Sequence, residues 1–222
     1  MELVNGGAVN MGTTIIDHTS GDPMLTKSLS KLMEEYGVNY FDAPVSGGPA
    51  GAAAGSLTCM VGQPGVSSSA TDVYLSAIAS KVVYLDSVGS GNAVKSVNNM
   101  LNATHLIIAS QCMEALRMFG VDTTKALSAI NESSGRSLQT EERIPVEVLQ
   151  NRYNYGFKLG LMHKDVKQCR KFFDAMLDGA PSERPWVAMT EDLFASHSDA
   201  KMADLDYTRV VEKFYTQKEK DG

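Results

Sequence analysis

Paired cysteines are missing from this chain. Its three cysteines, Cys59, Cys112 and Cys169, stand far apart. An odd number without paired spacing excludes a disulfide framework and fits a reducing compartment, where they read as small buried hydrophobic residues. The four histidines, His18, His105, His163 and His197, show no zinc-ligand spacing, so no metal site is expected. No apolar run approaches the roughly 20 residues that a membrane span needs, which excludes a membrane-spanning helix. Positive charge is in deficit. Twenty Lys and Arg against 26 Asp and Glu give a net charge of −6 and a pI near 5.2, which argues against a nucleic-acid partner. The opening residues, Met1-Glu2-Leu3-Val4-Asn5, have neither a secretory pattern nor an Arg-rich transit pattern. An intracellular, reducing compartment is expected, with cytoplasm and mitochondrial matrix both open. The glycosylation-like triplets at Asn102 and Asn131 are discounted on the same ground.

What remains is an ordinary globular composition, 43% hydrophobic and 21% charged over 222 residues. That is enough for one large or two small domains. Residues 13–17 (Thr-Thr-Ile-Ile-Asp) read as a short buried strand. Asp22 and Pro23 then suit an N-cap and a first helical position, and Gly37 ends that helix. Further strands are predicted at 38–43, 56–62 and 81–85, with a helix over 66–80 capped by Ser67 or Ser68. Alternating strands and helices imply an α/β layer with a largely parallel sheet.

From Ser90 to Phe119 no breaker occurs, and a helix of that length spans roughly 45 Å. Beyond it strand signals vanish. Helices are predicted at 123–133, 145–150, 159–177, 186–196 and 202–218, with residues 217–222 as a solvated tail. The expected architecture is an α/β domain over residues 1–89, joined by the long helix to an all-α domain over 90–222.

Chemistry concentrates in a few stretches. Gly89-Ser90-Gly91-Asn92-Ala93-Val94-Lys95-Ser96-Val97-Asn98-Asn99 places Lys95 inside the long helix and Asn99 one turn later on the same face. A lysine amine beside a carboxamide can bind an oxygen and move its proton, and burial lowers a lysine's pKa towards neutrality, which makes it a useful base. A solvated lysine is the competing reading. The neighbours shift the balance. Gly89 and Gly91 allow close backbone approach, and Asn98-Asn99 is a poor choice for a helix interior unless function requires it.

Asp42-Ala43-Pro44-Val45-Ser46-Gly47-Gly48 leaves the end of a strand, the edge where α/β proteins bind ligands. The amides of Gly47 and Gly48 and the hydroxyl of Ser46 could hold a carboxylate, or the segment could be a bare Gly/Pro turn. Thr19 and Ser20 end the first strand as ligand contacts or helix caps. Lys164 reads as a surface charge or as a residue reaching into a cleft.

Together these stretches resemble the β-hydroxyacid dehydrogenase family, the 3-hydroxyisobutyrate dehydrogenase and tartronate semialdehyde reductase type. The family's Asp-x-Ser-Thr-x-x-Pro element appears as Asp17-His18-Thr19-Ser20-Gly21-Asp22-Pro23, with Ser and Thr exchanged. The Asp42–Gly48 loop and the Gly89–Asn99 motif appear unaltered, and Glu114-Ala115, residues 133–137 and Gly156-Phe157 through Lys164-Asp165 follow in order. The resemblance implies hydride transfer between a small 3-hydroxy acid and NAD or NADP. In that reading Lys95 is the general acid/base and Asn99 orients the substrate hydroxyl. Ser46, Gly47 and Gly48 bind the substrate carboxylate, Thr19 or Ser20 touches the cofactor ribose, and Lys164 lines the cleft near the nicotinamide. It also implies a homodimer or higher homo-oligomer through the helical domain. The Asn98-Asn99 pair favours this branch over 6-phosphogluconate dehydrogenase.

The family's opening Gly-x-Gly-x-x-Gly turn, which seats the pyrophosphate on a helix N-terminus, is not in this sequence. Gly6-Gly7 and Gly12 precede a strand instead of following one. The expectation is a truncated NAD(P)-binding Rossmann-type domain with an incomplete cofactor site. The alternative is a non-catalytic homologue that dimerises or binds a carboxylate.

Overall fold

A computed structural model describes residues 9–63, 69–179, 183–197 and 201–215. The chain divides into two compact units, Met1–Val97 and Asn98–Gly222. The Gly6-Gly7 pair, the Ser67 and Ser68 caps and the 217–222 tail lie outside the described residues.

In the first unit, β1 (Thr14–Asp17) leads to α1 (Pro23–Glu35). The Asp22 carboxylate caps this helix by accepting from the Met24 and Leu25 amides at 2.8 and 3.3 Å, so Thr19 and Ser20 are not its caps. Gly37, at φ +67°, terminates it because a left-handed residue there costs glycine nothing. β2 (Asn39–Asp42) pairs parallel with β1, Asp17 lying opposite Asp42.

The chain then makes a two-residue strand, β3 (Val45–Ser46), and a six-residue helix, α2 (Gly48–Ala53), before β4 (Thr58–Gly62). β3 runs antiparallel to β4, and β4 runs parallel to β5 (Lys81–Leu85). The two sheets meet at the end of β2, where Ala43 N–H donates to Asp17 O and Met60 N–H to Pro44 O. α3 (Ser69–Ile78) covers the core of Phe41, Ala43, Cys59, Val61, Leu75 and Ala79.

α4 (Ser90–Phe119) starts in the first unit and continues into the second. α5 (Thr123–Asn131) follows, capped by the Asp122 carboxylate on the Lys125 amide. Residues Gln139–Val148 form a π-helix around Pro145, where a shorter helix over 145–150 was expected. Its wide turn accommodates the missing proline N–H, and Leu149 N–H reaches back five residues to Ile144 O. α6 (Leu159–Met176) and α7 (Pro185–Ser196) complete the main helices. The core of this unit includes Leu106, Ile144, Met162, Val166, Phe194 and Tyr207, all fully buried. No helix among the described residues is long and apolar enough to cross a membrane.

Two expectations are corrected. The helix predicted over 202–218 is instead a turn, a 3-10 helix (Tyr207–Val211) and a short α8 (Glu212–Tyr215). The backbone groups it would need are used elsewhere. Ala203 and Leu205 carbonyls accept from the Gly160 and Leu159 amides at the start of α6, and Tyr207 N–H donates to Phe157 O. The three cysteines were also expected to be buried alike. Cys59 and Cys169 are buried, but Cys112 is exposed. Burial pushes the Cys59 thiol up to about 11.

Phe41 is 1% exposed and Val83 46% exposed. Phe41→Ala is therefore expected to cost about 3–5 kcal/mol in denaturant unfolding. Val83→Ala is expected to stay within about 0.5 kcal/mol of the parent.

Candidate active site

The carboxyl ends of β1 and β2 build the first part of the site. Asp17 closes the β1 end. Its Oδ2 accepts from the Tyr40 hydroxyl at 2.6 Å and its Oδ1 from Thr19 N–H at 2.9 Å. Burial pushes the Asp17 carboxyl up, but the Tyr40 and Thr19 hydrogen bonds outweigh it and hold it below its ordinary value. Burial and then Asp17 push the Tyr40 phenol up. His18 Nδ1 donates to the Ala43 carbonyl at 2.7 Å, and its Nε2 faces the Tyr74 hydroxyl at 3.2 Å. Thr19 is exposed and Ser20 half-buried.

Beyond β2, Ser46 is half-buried and Gly47 exposed. Gly47 and Gly48 take φ values of +135° and +64°. A side chain on Gly47 would meet Leu57 at 2.9 Å, so only glycine suits the turn. A helix start leaves its first amides without intrahelical partners, and Pro49 contributes none of its own.

The start of α4 is held by buried polar contacts. Asp42 is fully buried. Its two oxygens accept from Gly89 N–H and Asn92 N–H, each at 2.6 Å. Two glycines make room for it. A Cβ on Gly62 would collide with the Asp42 carboxylate. One on Gly91 would collide with the Met60 carbonyl and lie 2.8 Å from Asp42 Oδ2. Gly89, at φ +89°, would bring a Cβ within 2.7 Å of the Pro23 carbonyl. Asn92 is 1% exposed; its Oδ1 accepts from Gly21 N–H at 2.9 Å and its Nδ2 donates to Thr26 Oγ1 at 3.1 Å. Lys95 follows at 9% exposure, far more buried than lysines ordinarily are.

In the second unit, Asn99 is 4% exposed. Its Nδ2 donates to Asp165 Oδ2 at 2.6 Å and its Oδ1 accepts from Asn98 Nδ2 at 3.3 Å. These bonds fix which way the carboxamide points. Asp165 is 3% exposed on α6. Lys164, half exposed, places its Nζ 2.8 Å from Asp165 Oδ1 as an ion pair. Thus Asn99 and Lys164 share one carboxylate. α6 is tied to α7 by Arg170 and His163, both on Glu191. Burial raises the Glu191 carboxyl, but Arg170 and then His163 outweigh it and hold it low.

Asp42, Asn92 and Asp165 carry no role in the sequence reading. Asp165 left a signal there: it falls on the buried stripe of α6 with Met162, Val166 and Cys169, where an unpaired acid is costly. For Asp42 no signal separates a cap on a distant helix from any loop acid.

Comparison with known proteins extends the geometry. Residues 89–214 match a family model described as the NAD-binding of NADP-dependent 3-hydroxyisobutyrate dehydrogenase. Residues 3–86 match one described as the NAD binding domain of 6-phosphogluconate dehydrogenase. The chain belongs to the β-hydroxyacid dehydrogenase family. It is 37% identical over 164 residues to the mitochondrial 3-hydroxyisobutyrate dehydrogenase of Bos taurus, covering 71% of this chain and 49% of that protein. It is 31% identical over 216 residues to the L-threonate dehydrogenase of Cupriavidus necator, covering 95% of this chain and 70% of that one. Among solved structures, the 3-hydroxyisobutyrate dehydrogenase of Mycobacterium tuberculosis with L-serine matches at a TM-score of 0.83 and 26% identity, over 96% of this chain and 76% of that one. The chain spans about half the length of the mammalian mitochondrial relatives it matches.

The family's cofactor is a nicotinamide dinucleotide, and Thr19 and Ser20 bring two hydroxyls to the β1 end. The Gly89-Ser90-Gly91 turn does not fit the pyrophosphate, because Asp42 already fills that helix start. Tyr40→Phe removes the strongest bond holding Asp17 charged. A carboxyl held low stabilises the fold above its ordinary pKa and loses that contribution as pH falls through the folded value. The variant should lose about 1 kcal/mol near neutral pH. It should also show a shallower loss of stability from about pH 5 downwards, read by urea unfolding across pH.

Proposed function

We propose that this chain carries the substrate and acid/base half of an NAD(P)-dependent oxidation of a small 3-hydroxy acid. The observation that supports it most is that α4 buries Lys95 and, one turn later in sequence, Asn99, whose carboxamide is oriented by Asp165. Two such side chains suit proton transfer at one hydroxyl oxygen. When bound, the nicotinamide supplies the hydride acceptor. Lys95 Nζ takes the hydroxyl proton as the carbon's hydride leaves, and returns it in the reverse direction. Asn99 holds the oxygen in line. Ser46, Gly47 and Gly48 take the carboxylate. Thr19 and Ser20 would hold the ribose of the bound dinucleotide, and Lys164 would serve its nicotinamide end. The acids named for the relatives, 3-hydroxyisobutyrate, L-threonate and bound L-serine, all pair a carboxylate with an alcohol, which is the substrate class proposed.

The helical unit is the proposed homodimer surface. It exposes large apolar side chains, including Phe119 at 86%, Trp186 at 59% and Met189 at 59%, which such an interface would cover.

Lys95→Ala should lower turnover of a 3-hydroxy acid with NAD or NADP by about 10²–10⁴, followed by reduced-nicotinamide absorbance. Calorimetric binding of the acid should change little. Equal turnover by Lys95→Ala and the parent would refute the base assignment. Acid binding without turnover at saturating dinucleotide would make the chain a carboxylate-binding module instead.

A further inference from the structure

We propose that Asp42 and Asn92 are positioning residues that hold the Lys95-bearing helix in register with both ligand loops. The inference rests on the Lys95 reading above. Three segments given a part in that reading converge at the start of α4, and two side chains join them. Asp42 is the last residue of β2 and stands directly before the Ala43–Gly48 loop. Its carboxylate takes the Gly89 and Asn92 amides, each at 2.6 Å. The bond is between a charge and the positive end of a helix, in a site with no exposure, where such bonds are strongest. Asn92 makes the second tie. Its carboxamide takes the Gly21 amide and gives to Thr26 Oγ1, which itself donates to the Asp22 carbonyl at 2.9 Å. The tie therefore reaches the loop holding Thr19 and Ser20. Lys95 lies three residues after Asn92, so its backbone is set by both ties.

A plain helix cap would not need this construction. An Asp or Ser just before the helix would satisfy an amide at this helix start. Instead the carboxylate comes from 47 residues away in sequence, and Gly62 and Gly91 lack the side chains that would occupy its seat. What the arrangement adds over a local cap is a fixed spacing between strand end and helix start. Acid/base transfer depends on such spacing, since a displacement of about 1 Å can cost about 100-fold in rate.

The test uses the 222-residue chain and the variants Asp42→Asn and Asn92→Ala, with Lys95→Ala alongside. Asp42→Asn keeps the shape but turns one acceptor into a donor facing an N–H. Asn92→Ala leaves Asp42 intact and carries the decision if Asp42→Asn does not fold. In folded variants kcat should fall at least about ten-fold while KM for the hydroxy acid moves less than about three-fold. Amide exchange at Gly89–Lys95 should accelerate by at least about ten-fold, with the β4 and β5 amides unchanged. Folded variants that keep the parent's kcat and its exchange protection at Gly89–Lys95 would overturn the inference. If Lys95→Ala keeps full activity, it is the base assignment that fails. Amide exchange then decides the positioning role alone, and unchanged protection at Gly89–Lys95 would end it.

Discussion

A buried carboxylate permits few arrangements. Asp42 has no exposure, so its charge must be met by donors inside the protein or the fold loses several kcal/mol. The donors here are backbone amides at the start of α4, and backbone cannot change rotamer to escape. The end of β2 and the start of α4 are thus held at one spacing, and neighbouring residues must be small enough to respect it. Gly62 and Gly91 do so by having no side chain. Much of the first unit follows from this contact: the direction in which the Ala43–Gly48 loop leaves the sheet, the entry of the chain into α4, and the low exposure of Lys95.

The same logic recurs in the second unit with different chemistry. Asp165 is buried on α6 and is met by the Asn99 carboxamide and the Lys164 ammonium. A carboxamide can donate and accept in either of two orientations, and the Asn98 and Asp165 bonds select one. A side chain whose polarity is fixed before a ligand arrives does not have to be ordered on binding. Asp42 and Asp165 thus serve different ends: one fixes backbone, the other fixes the sense of a hydrogen-bonding group.

Local patterns in the sequence carry a large share of the fold. β1, α1 with its Asp22 cap and Gly37 stop, β4, β5, α4, α6 and α7 fall where periodicity and breakers put them, within a few residues. Those signals are local, and so the sequence shows them. The misses share a cause. The helix expected over 202–218 is interrupted because Ala203, Leu205 and Tyr207 bond to residues 157–160, a pairing no local propensity reveals. β3 and α2 are too short to leave a periodicity. The residues proposed for the site, Lys95, Asn99 and Ser46–Gly48, can be picked out in the sequence because they sit in recognisable spacings. The groups that orient them, Asp42, Asn92 and Asp165, act across long stretches of sequence and become visible only in three dimensions.

The bonds that spoil the C-terminal helix also govern the order in which the second unit can be assembled. Leu159 and Gly160 amides at the start of α6 have their partners in Leu205 and Ala203, and Gly156 N–H has its partner in the Asp206 carboxylate. Until the chain as far as Asp206 has been made and folded back, α6 begins with open donors. Closing that loop of roughly 45 residues has an entropic cost that no local contact repays. In a chain emerging from the ribosome, the helix that carries Asp165 is completed only once residues as far as Asp206 have been made.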